Sequence, residues 1–215
     1  FMSHYDPNYF DWQKKMGEFG GKATLWMFSS FINKSDKVID FGSGGGYLLS
    51  NIDCSEKLGI EINASGRENA KTLGVNAVGS TAEAPDEWAD VVITNHVLEH
   101  TFQPMDELIA LRAKLKKGGK LVIVVPNEKH YAYKPEDINQ HLYTWSAMAL
   151  GNLVTHAGYE VIQAEELRYK WPPRFTFWWN VLGPTGFKLL SKLWANYGPW
   201  YKPWVSNIRV VAQKP

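Results

Sequence analysis

The 215-residue sequence predicts an α/β protein with a Rossmann-like, doubly wound, mostly parallel seven-stranded sheet. We expect helices on both faces and an aromatic insertion before the last strand. Short Val/Ile-rich runs alternate with helix-sized stretches, which is the order of strands and helices in a parallel sheet. The runs show no alternation of apolar and polar residues, as expected for strands covered on both faces. A glycine-rich segment also follows the first run directly.

The strand-like runs come in a regular order along the chain. Helical patterns separate them, and the best defined has Pro104 near its start, Leu108, Leu111 and Leu115 on one face, and Gly118 after its basic end. This pattern predicts a helix that continues through Leu115. The predicted strands are 37–42, 57–62, 74–80, 89–96, 119–127, 159–169 and 206–215, and the other predicted helices include 64–74 and 146–158.

Four segments organise the chain. We expect an N-terminal helical lid or cap at 2–35, a core at 36–170, a basic aromatic insertion at 171–204 and the last core strand at 205–215. Cys54 is the sole cysteine, so no intrachain disulfide can form. No apolar leader and no membrane-length apolar run is present, which predicts a cytoplasmic protein, with peripheral membrane contact as an alternative location.

Charge is distributed unevenly along the chain. From Arg168 onward there are eight Lys or Arg and no Asp or Glu, and this end holds six of the ten tryptophans. Three interpretations of the insertion remain open: a lid over an apolar or aromatic acceptor, an interfacial helix at a membrane, or a homodimer surface. The lack of acids favours an anionic acceptor or lipid surface. A nucleic-acid partner is not expected, because a DNA-binding face usually carries more Lys and Arg than Trp. The predicted helical face comprises Phe187, Leu190, Leu193, Trp194 and Tyr197.

The segment "DFGSGGG" follows the first strand and predicts a tight turn that a ligand can approach closely. The dinucleotide fingerprint requires a third glycine where this chain has Tyr47, which counts against an NAD-dependent oxidoreductase. Glu61 ends the second strand and offers a carboxylate to ribose hydroxyls, a feature that dinucleotide proteins share.

Four motifs carry a family resemblance: "VIDFGSGGG", "GIEINA", "ADVVITNHVLEH" and "LKKGGKLVIVVPN". Together, over roughly 36–165, the chain resembles the class I S-adenosylmethionine-dependent methyltransferases, in particular the small-molecule branch that includes the ubiquinone-biosynthesis O-methyltransferases. The resemblance implies S-adenosyl-L-methionine as cofactor, S-adenosyl-L-homocysteine as product, and in-line methyl transfer to a small-molecule or lipid-linked acceptor. A relative that binds the cofactor without catalysis is the alternative.

The resemblance also implies roles for single residues. Asp40 would order the glycine turn, which would pass under the methionine and ribose. Glu61 would bind the ribose and Ile62 would contact adenine. Asn95 would approach the methionine end. The loop after the third strand departs from the family because it lacks an Asp for the adenine amino group. The implied cofactor-binding residues are Asp40, Gly42, Ser43, Gly44, Gly46, Glu61, Ile62, Ser80, Thr81, Ala82 and Asn95.

Histidines are the candidate general bases, because a hydroxyl acceptor must lose a proton. His141 is the first choice, with His96 and His100 as further candidates. Each has a structural alternative, such as capping the next helix or ordering a loop. Tyr5, Tyr9 and Trp12 are candidate aromatic contacts for the sulfonium. No cluster with metal-ligand spacing is predicted.

Overall fold

The computed structural model describes residues 16–128, 139–197 and 206–215. One seven-stranded sheet lies at its centre, in the order β3-β2-β1-β4-β5-β7-β6. The strands are β1 (Lys37–Phe41), β2 (Glu56–Ile60), β3 (Asn76–Val78), β4 (Ala89–Asn95), β5 (Leu115–Pro126), β6 (Glu160–Arg168) and β7 (Ser206–Gln213). The helices are α1 (16–23), α2 (Tyr47–Ser50), α3 (Ala64–Thr72), α4 (Pro104–Lys114), α5 (Ala147–His156) and α6 (Phe175–Tyr197).

The sheet is parallel from β3 to β5, and β7 enters antiparallel between β5 and β6. The predicted seven-stranded, mostly parallel architecture is therefore confirmed. Its carboxyl-terminal edge brings together the turns after β1, β2, β3, β4 and β5. In open α/β sheets ligands bind outside this edge, where the strand order reverses. Here the order reverses between β1 and β4.

Neighbouring residues of the central strands belong to opposite hydrophobic cores. Val38 packs in the core covered by α1, α2, α3 and α6, whereas Ile39 packs in the core covered by α4 and α5. Both side chains are fully buried. Strands covered on both faces need apolar residues at every position, which explains the continuous Val/Ile runs.

One predicted helix boundary is wrong. Helix α4 ends at Lys114, and Leu115 already belongs to β5, where it pairs with Ala89. Leu115 is fully buried in this extended conformation. Gly118 then turns with a φ of 77° while its N–H donates to the Lys214 carbonyl. Tertiary pairing therefore overrides the helical spacing of the leucines, because burial in the sheet supplies the same apolar contacts.

The buried face of helix α6 differs from the apolar face that the sequence predicted for the insertion. It is kinked at Gly183, just before Pro184, and its buried residues are Phe187, Ser191 and Ala195. Leu193 and Tyr197, which were predicted to share one helical face with Phe187, are exposed, whereas Phe187 is buried. Two of the three buried residues, Ser191 and Ala195, are small, which allows this part of α6 to lie close to its neighbours. In the described part of the chain no helix is long and apolar enough to cross a membrane.

Candidate functional site

The glycine turn after β1 closes against the end of β2. The N–H groups of Gly42 and Ser43 both donate to the Ile60 carbonyl, at 2.8 and 3.1 Å. Gly42 has a φ of 74°, and a Cβ there would overlap Val97. Gly44 has a φ of 53°, and a Cβ there would meet nothing within 4 Å. The turn thus needs glycine for its shape at Gly42 and leaves open space at Gly44.

The Glu61 carboxylate is held by backbone amides. Its Oε2 accepts from the N–H of Gly44 at 2.8 Å, and its Oε1 accepts from the N–H of Asn63 at 2.7 Å. These two bonds fix the carboxylate between the glycine turn and the start of α3. The predicted ribose-binding acid therefore also orders the turn next to it.

A cleft of about 490 Å³ lies at the carboxyl ends of the parallel strands. Ile62, with 79% of its surface exposed, presents an apolar side chain to it. Eight of the residues that the sequence singled out line this cleft: Gly42, Gly44, Glu61, Ile62, Ser80, Thr81, His96 and His100. Six others do not belong to its lining: Asp40, Ser43, Gly46, Ala82, Asn95 and His141.

Gly46 and Ala82, which the resemblance proposes as cofactor-binding residues, lie outside the lining of the cleft. Gly46 has a φ of 79° and precedes α2, and a Cβ there would come within 2.8 Å of Ala70. Its conformation and contacts therefore serve the packing of the turn on α3. Ala82 is exposed and lies in a short 3-10 turn.

Asp40 and Ser43 are buried and Asn95 is partly buried, and none of the three belongs to the lining of the cleft. Asp40 is only 2% exposed, and burial, together with the nearby charge of Glu61, raises its pKa to about 8. The Ser43 hydroxyl and the Asn95 side-chain oxygen have no hydrogen-bond partner among the described residues. Buried polar atoms without partners are uncommon and mark places where a polar ligand can complete the bonding.

The loop after β3 uses two carboxylates that the sequence analysis did not single out. The Ser80 hydroxyl donates to Glu83 Oε1, and the Thr81 hydroxyl donates to Glu107 Oε2, both at 2.9 Å. Glu107 comes from the first turn of α4 and lines the cleft. No local motif signals this contact, because Glu107 lies 26 positions after Thr81 in the chain.

Beside His100, which lines the cleft, His141 pairs with a residue that sequence analysis missed. His141 Nδ1 lies 2.6 Å from Glu128 Oε2, and the two side chains are 12% and 14% exposed. The His141 ring also packs edge-on against His100, with ring centroids 4.7 Å apart. His141 does not cap the next helix, since the Ser146 hydroxyl accepts from the Ala149 N–H there.

Glu99 is the fourth member of a cluster of carboxyl and imidazole groups that also contains Glu128, His141 and His100. Its side chain is fully buried, and within the described ranges no other residue donates a hydrogen bond to its carboxylate. Burial, together with the nearby charge of Glu128, raises its pKa to about 8. Its backbone carbonyl accepts from the N–H of Leu142 at 2.7 Å, which holds the His141 loop against the 3-10 turn Leu98–His100.

Three potential metal ligands meet in this cluster. One ligand atom from each of Glu99, His100 and His141 lies within 4.8 Å of the other two. The sequence predicted no such cluster because its members come from two loops that are far apart in the chain. The group has the nitrogen and oxygen donors that a divalent transition metal accepts.

His96 has an unusual backbone conformation at the end of β4. Its φ is 57°, its N–H donates to the Val124 carbonyl at 2.8 Å, and its Nε2 lies 2.9 Å from Asn207 Oδ1. Desolvation lowers the pKa of His96, but 45% of the side chain is exposed, so solvent limits the shift. The candidate aromatic contacts Tyr5, Tyr9 and Trp12 lie outside the described residues.

A family model described as a methyltransferase domain matches residues 14–164. The chain belongs to this methyltransferase family. A ubiquinone biosynthesis O-methyltransferase from Roseobacter denitrificans is 32% identical over 127 residues, which cover 52% of this chain. The match spans 50% of that relative, about half of its length.

Solved structures share the fold of this methyltransferase. An S-adenosylmethionine-dependent methyltransferase from Thermotoga maritima aligns over 99% of this chain and 97% of its own, with a TM-score of 0.72 and 16% identity. The Haloferax volcanii methyltransferase complex with the Trm112 activator aligns over 96% and 97%, with a TM-score of 0.67 and 18% identity. A Haemonchus contortus phosphoethanolamine N-methyltransferase, solved with S-adenosylhomocysteine, covers 100% of this chain and 61% of its own, with a TM-score of 0.63 and 16% identity.

The cleft fits S-adenosylmethionine, the cofactor that the family resemblance implies. Gly44 leaves open space beside the Glu61 carboxylate, and Ile62 offers an apolar surface next to it. The unpartnered Ser43 hydroxyl and Asn95 oxygen supply polar groups behind the turn. A sulfonium amino acid joined to a nucleoside needs such a combination of polar and apolar contacts.

Proposed function

We propose that this methyltransferase methylates a hydroxyl oxygen of a small aromatic or lipid-linked acceptor, with His141 as general base. The observation that carries the proposal is the hydrogen bond between His141 and Glu128, in a largely buried position next to the cleft. A carboxylate at Nδ1 favours the tautomer with a proton on that nitrogen. Nε2 is then the nitrogen that accepts the proton of the acceptor.

The chemistry divides between the cofactor and the protein. S-adenosylmethionine, when bound, supplies an electrophilic methyl group. The chain must hold the acceptor in line with it, which reduces the entropic part of the barrier. His141 removes the hydroxyl proton, and the negative charge of Glu128 stabilises the imidazolium that results. The residues that we propose for holding the cofactor are Asp40, Gly42, Ser43, Gly44, Glu61, Ile62, Ser80, Thr81 and Asn95.

Two observations support an aromatic or lipid-linked acceptor. The Roseobacter relative is named for ubiquinone biosynthesis, which points to a ring hydroxyl and an apolar tail. The outer face of α6 is apolar, with Leu189 and Leu193 exposed, in a segment that carries no acidic residue. A surface of this kind suits contact with an anionic membrane that contains the acceptor. A lid over the acceptor and a homodimer surface are the other proposed roles of the insertion.

A methyl-transfer assay tests the proposal. Labelled S-adenosylmethionine would be incubated with catechols that do or do not carry an isoprenoid tail, in the presence of anionic or neutral vesicles. We expect His141→Ala to lower kcat by about 10²- to 10⁴-fold and to leave the affinity for S-adenosylhomocysteine unchanged. Glu128→Gln should lower kcat less, and His156→Ala on α5 serves as the control. Full activity of His141→Ala would contradict the assignment.

The cluster around His141 also permits a second route to proton removal. A divalent cation held by Glu99, His100 and His141 would lower the pKa of a bound hydroxyl. Treatment with a chelator separates the two routes. Activity that is lost on chelation and restored by Zn²⁺ or Mg²⁺ would favour the metal, whereas activity insensitive to chelation would favour the free imidazole. Retained cofactor binding without turnover of any acceptor would favour a non-catalytic relative.

A further inference from the structure

We propose that Glu107 binds the 6-amino group of the cofactor's adenine and makes the site selective for that base. The proposal rests on the cofactor class, which the family establishes, and not on the acceptor or on His141. It concerns the loop after β3, where the chain has Ser80 and Thr81 instead of the acidic residue that the resemblance led us to expect.

The fold brings a carboxylate to this loop from another element. Glu107 lies in the first turn of α4, and its Oε2 accepts the hydrogen bond of the buried Thr81 hydroxyl at 2.9 Å. Both residues line the cleft, as does Ile62. In the described part of the chain, no hydrogen bond engages the other carboxylate oxygen of Glu107. This carboxylate is therefore anchored by one oxygen and has the second one left for a ligand.

Glu83 is the other carboxylate near this loop, and its surroundings differ. The Ser80 hydroxyl donates to its Oε1 at 2.9 Å, and the Gly79 N–H donates to its Oε2 at 3.3 Å. Both of its oxygens are thus engaged by the loop itself. Glu83 is exposed and does not belong to the lining of the cleft. Of these two acids, Glu107 is the one placed for the ligand.

The chemistry of the base explains what such a carboxylate selects. Adenine carries a 6-amino group, which donates hydrogen bonds, whereas hypoxanthine carries an oxygen there, which only accepts them. A carboxylate accepts from the amino group and repels the oxygen. Sites with a dedicated polar group reject analogues that cannot pair with it, because that group is then left unpaired. Glu107 would therefore disfavour a 6-oxo purine.

Calorimetric binding of two ligands tests the proposal without turnover. The ligands are S-adenosylhomocysteine and S-inosylhomocysteine, which differ at the 6-position of the base. We expect the wild-type protein to prefer the adenine compound by at least about tenfold, a difference of about 1.4 kcal/mol. In Glu107→Gln the preference should fall to within about threefold, because an amide offers both a donor and an acceptor.

Two further variants make the result specific. Thr81→Val removes the hydroxyl that anchors Glu107 but keeps the carboxylate, so we expect an intermediate preference; it also provides a test if Glu107→Gln does not fold. Asp106→Asn removes the same charge from the adjacent, exposed position of α4 and should leave the preference unchanged. If Glu107→Gln weakened both ligands equally, or neither, the proposal would be wrong. The binding experiment contains no methyl acceptor, so its result does not depend on whether His141 is the general base.

Discussion

The two ends of the cleft are built from different parts of the polypeptide. At the cofactor end, the glycine turn and Glu61 are held mainly by backbone groups, including the Ile60 carbonyl and the Gly44 amide. At the end that we propose for the acceptor, where His100 lines the cleft, the groups that meet are titratable side chains: Glu99, His100, Glu128 and His141. The first end is specified by short motifs, whereas the second depends on loops that the sheet brings together.

The difference extends to electrostatics. Glu61 accepts two backbone hydrogen bonds at the edge of the cleft, so its charge is compensated where it lies. Glu99 is fully buried and lacks such donors among the described residues, and burial raises its pKa to about 8. A buried carboxyl that accepts no hydrogen bond persists because it is mostly protonated at neutral pH. The electrostatics around Glu99 therefore depend on its protonation state, whereas the charge of Glu61 is fixed in place by backbone donors.

The largest effect should come from the glycine turn. Gly42→Ala places a Cβ against Val97 at a φ of 74°, so we expect loss of S-adenosylhomocysteine binding by more than about 100-fold. Gly44→Ala is the matched variant, since its Cβ meets no protein atom; we expect it to lower stability by only about 1 kcal/mol from backbone strain. Calorimetry and thermal melts measure both. Wild-type affinity in Gly42→Ala would mean that the shape of this turn does not control binding.

An intermediate effect is expected in the pH dependence of stability. Because folding raises the pKa of Glu99 from 4.5 to about 8, the folded state binds more protons between these values. The free energy of unfolding must then fall as pH rises through this range. We expect this decrease to be smaller in Glu99→Gln, by at least about 1 kcal/mol between pH 5 and pH 8.

Urea titrations at several pH values measure this dependence. Asp40, whose pKa is also raised to about 8, contributes a decrease of the same sign, so part of the slope should remain in Glu99→Gln. Glu83→Gln, which changes an exposed carboxylate, serves as the control. Identical slopes in the wild type and in Glu99→Gln would show that Glu99 is ionised throughout, and the electrostatic contrast between the two ends would not hold.

The smallest effect is expected at Ile62. Its side chain is mostly exposed, so Ile62→Ala should leave the free energy of unfolding within about 0.5 kcal/mol of the wild-type value. If adenine packs on this side chain, the affinity for S-adenosylhomocysteine should fall by about threefold to tenfold. Calorimetry alongside urea unfolding tests both parts. An unchanged affinity would place the base elsewhere in the cleft.

Helix α6 shows that a periodic sequence pattern does not always predict which face of a helix is buried. The sequence correctly predicted a helical, aromatic insertion before the last strand, but not which of its faces is buried. Phe187 packs with Phe19 and Trp179, and the helix then presents Ser191 and Ala195 inward. Periodicity ranks faces by apolar content, whereas close approach between elements selects small residues. The prediction that helix α4 includes Leu115 was wrong for a related reason, because pairing with β4 buries Leu115 in a strand.

The sequence by itself determined the alternation of strands and helices, the glycine turn and the acid at the end of β2. Those features rest on local properties: continuous apolar runs, positive φ angles and spacing along a few residues. Only the tertiary structure decided that Glu107 reaches Thr81 and that Glu128 and Glu99 meet His141 and His100. These contacts join loops at the same edge of a parallel sheet, and the connections between parallel strands separate such loops widely in the chain. No local pattern carries that information.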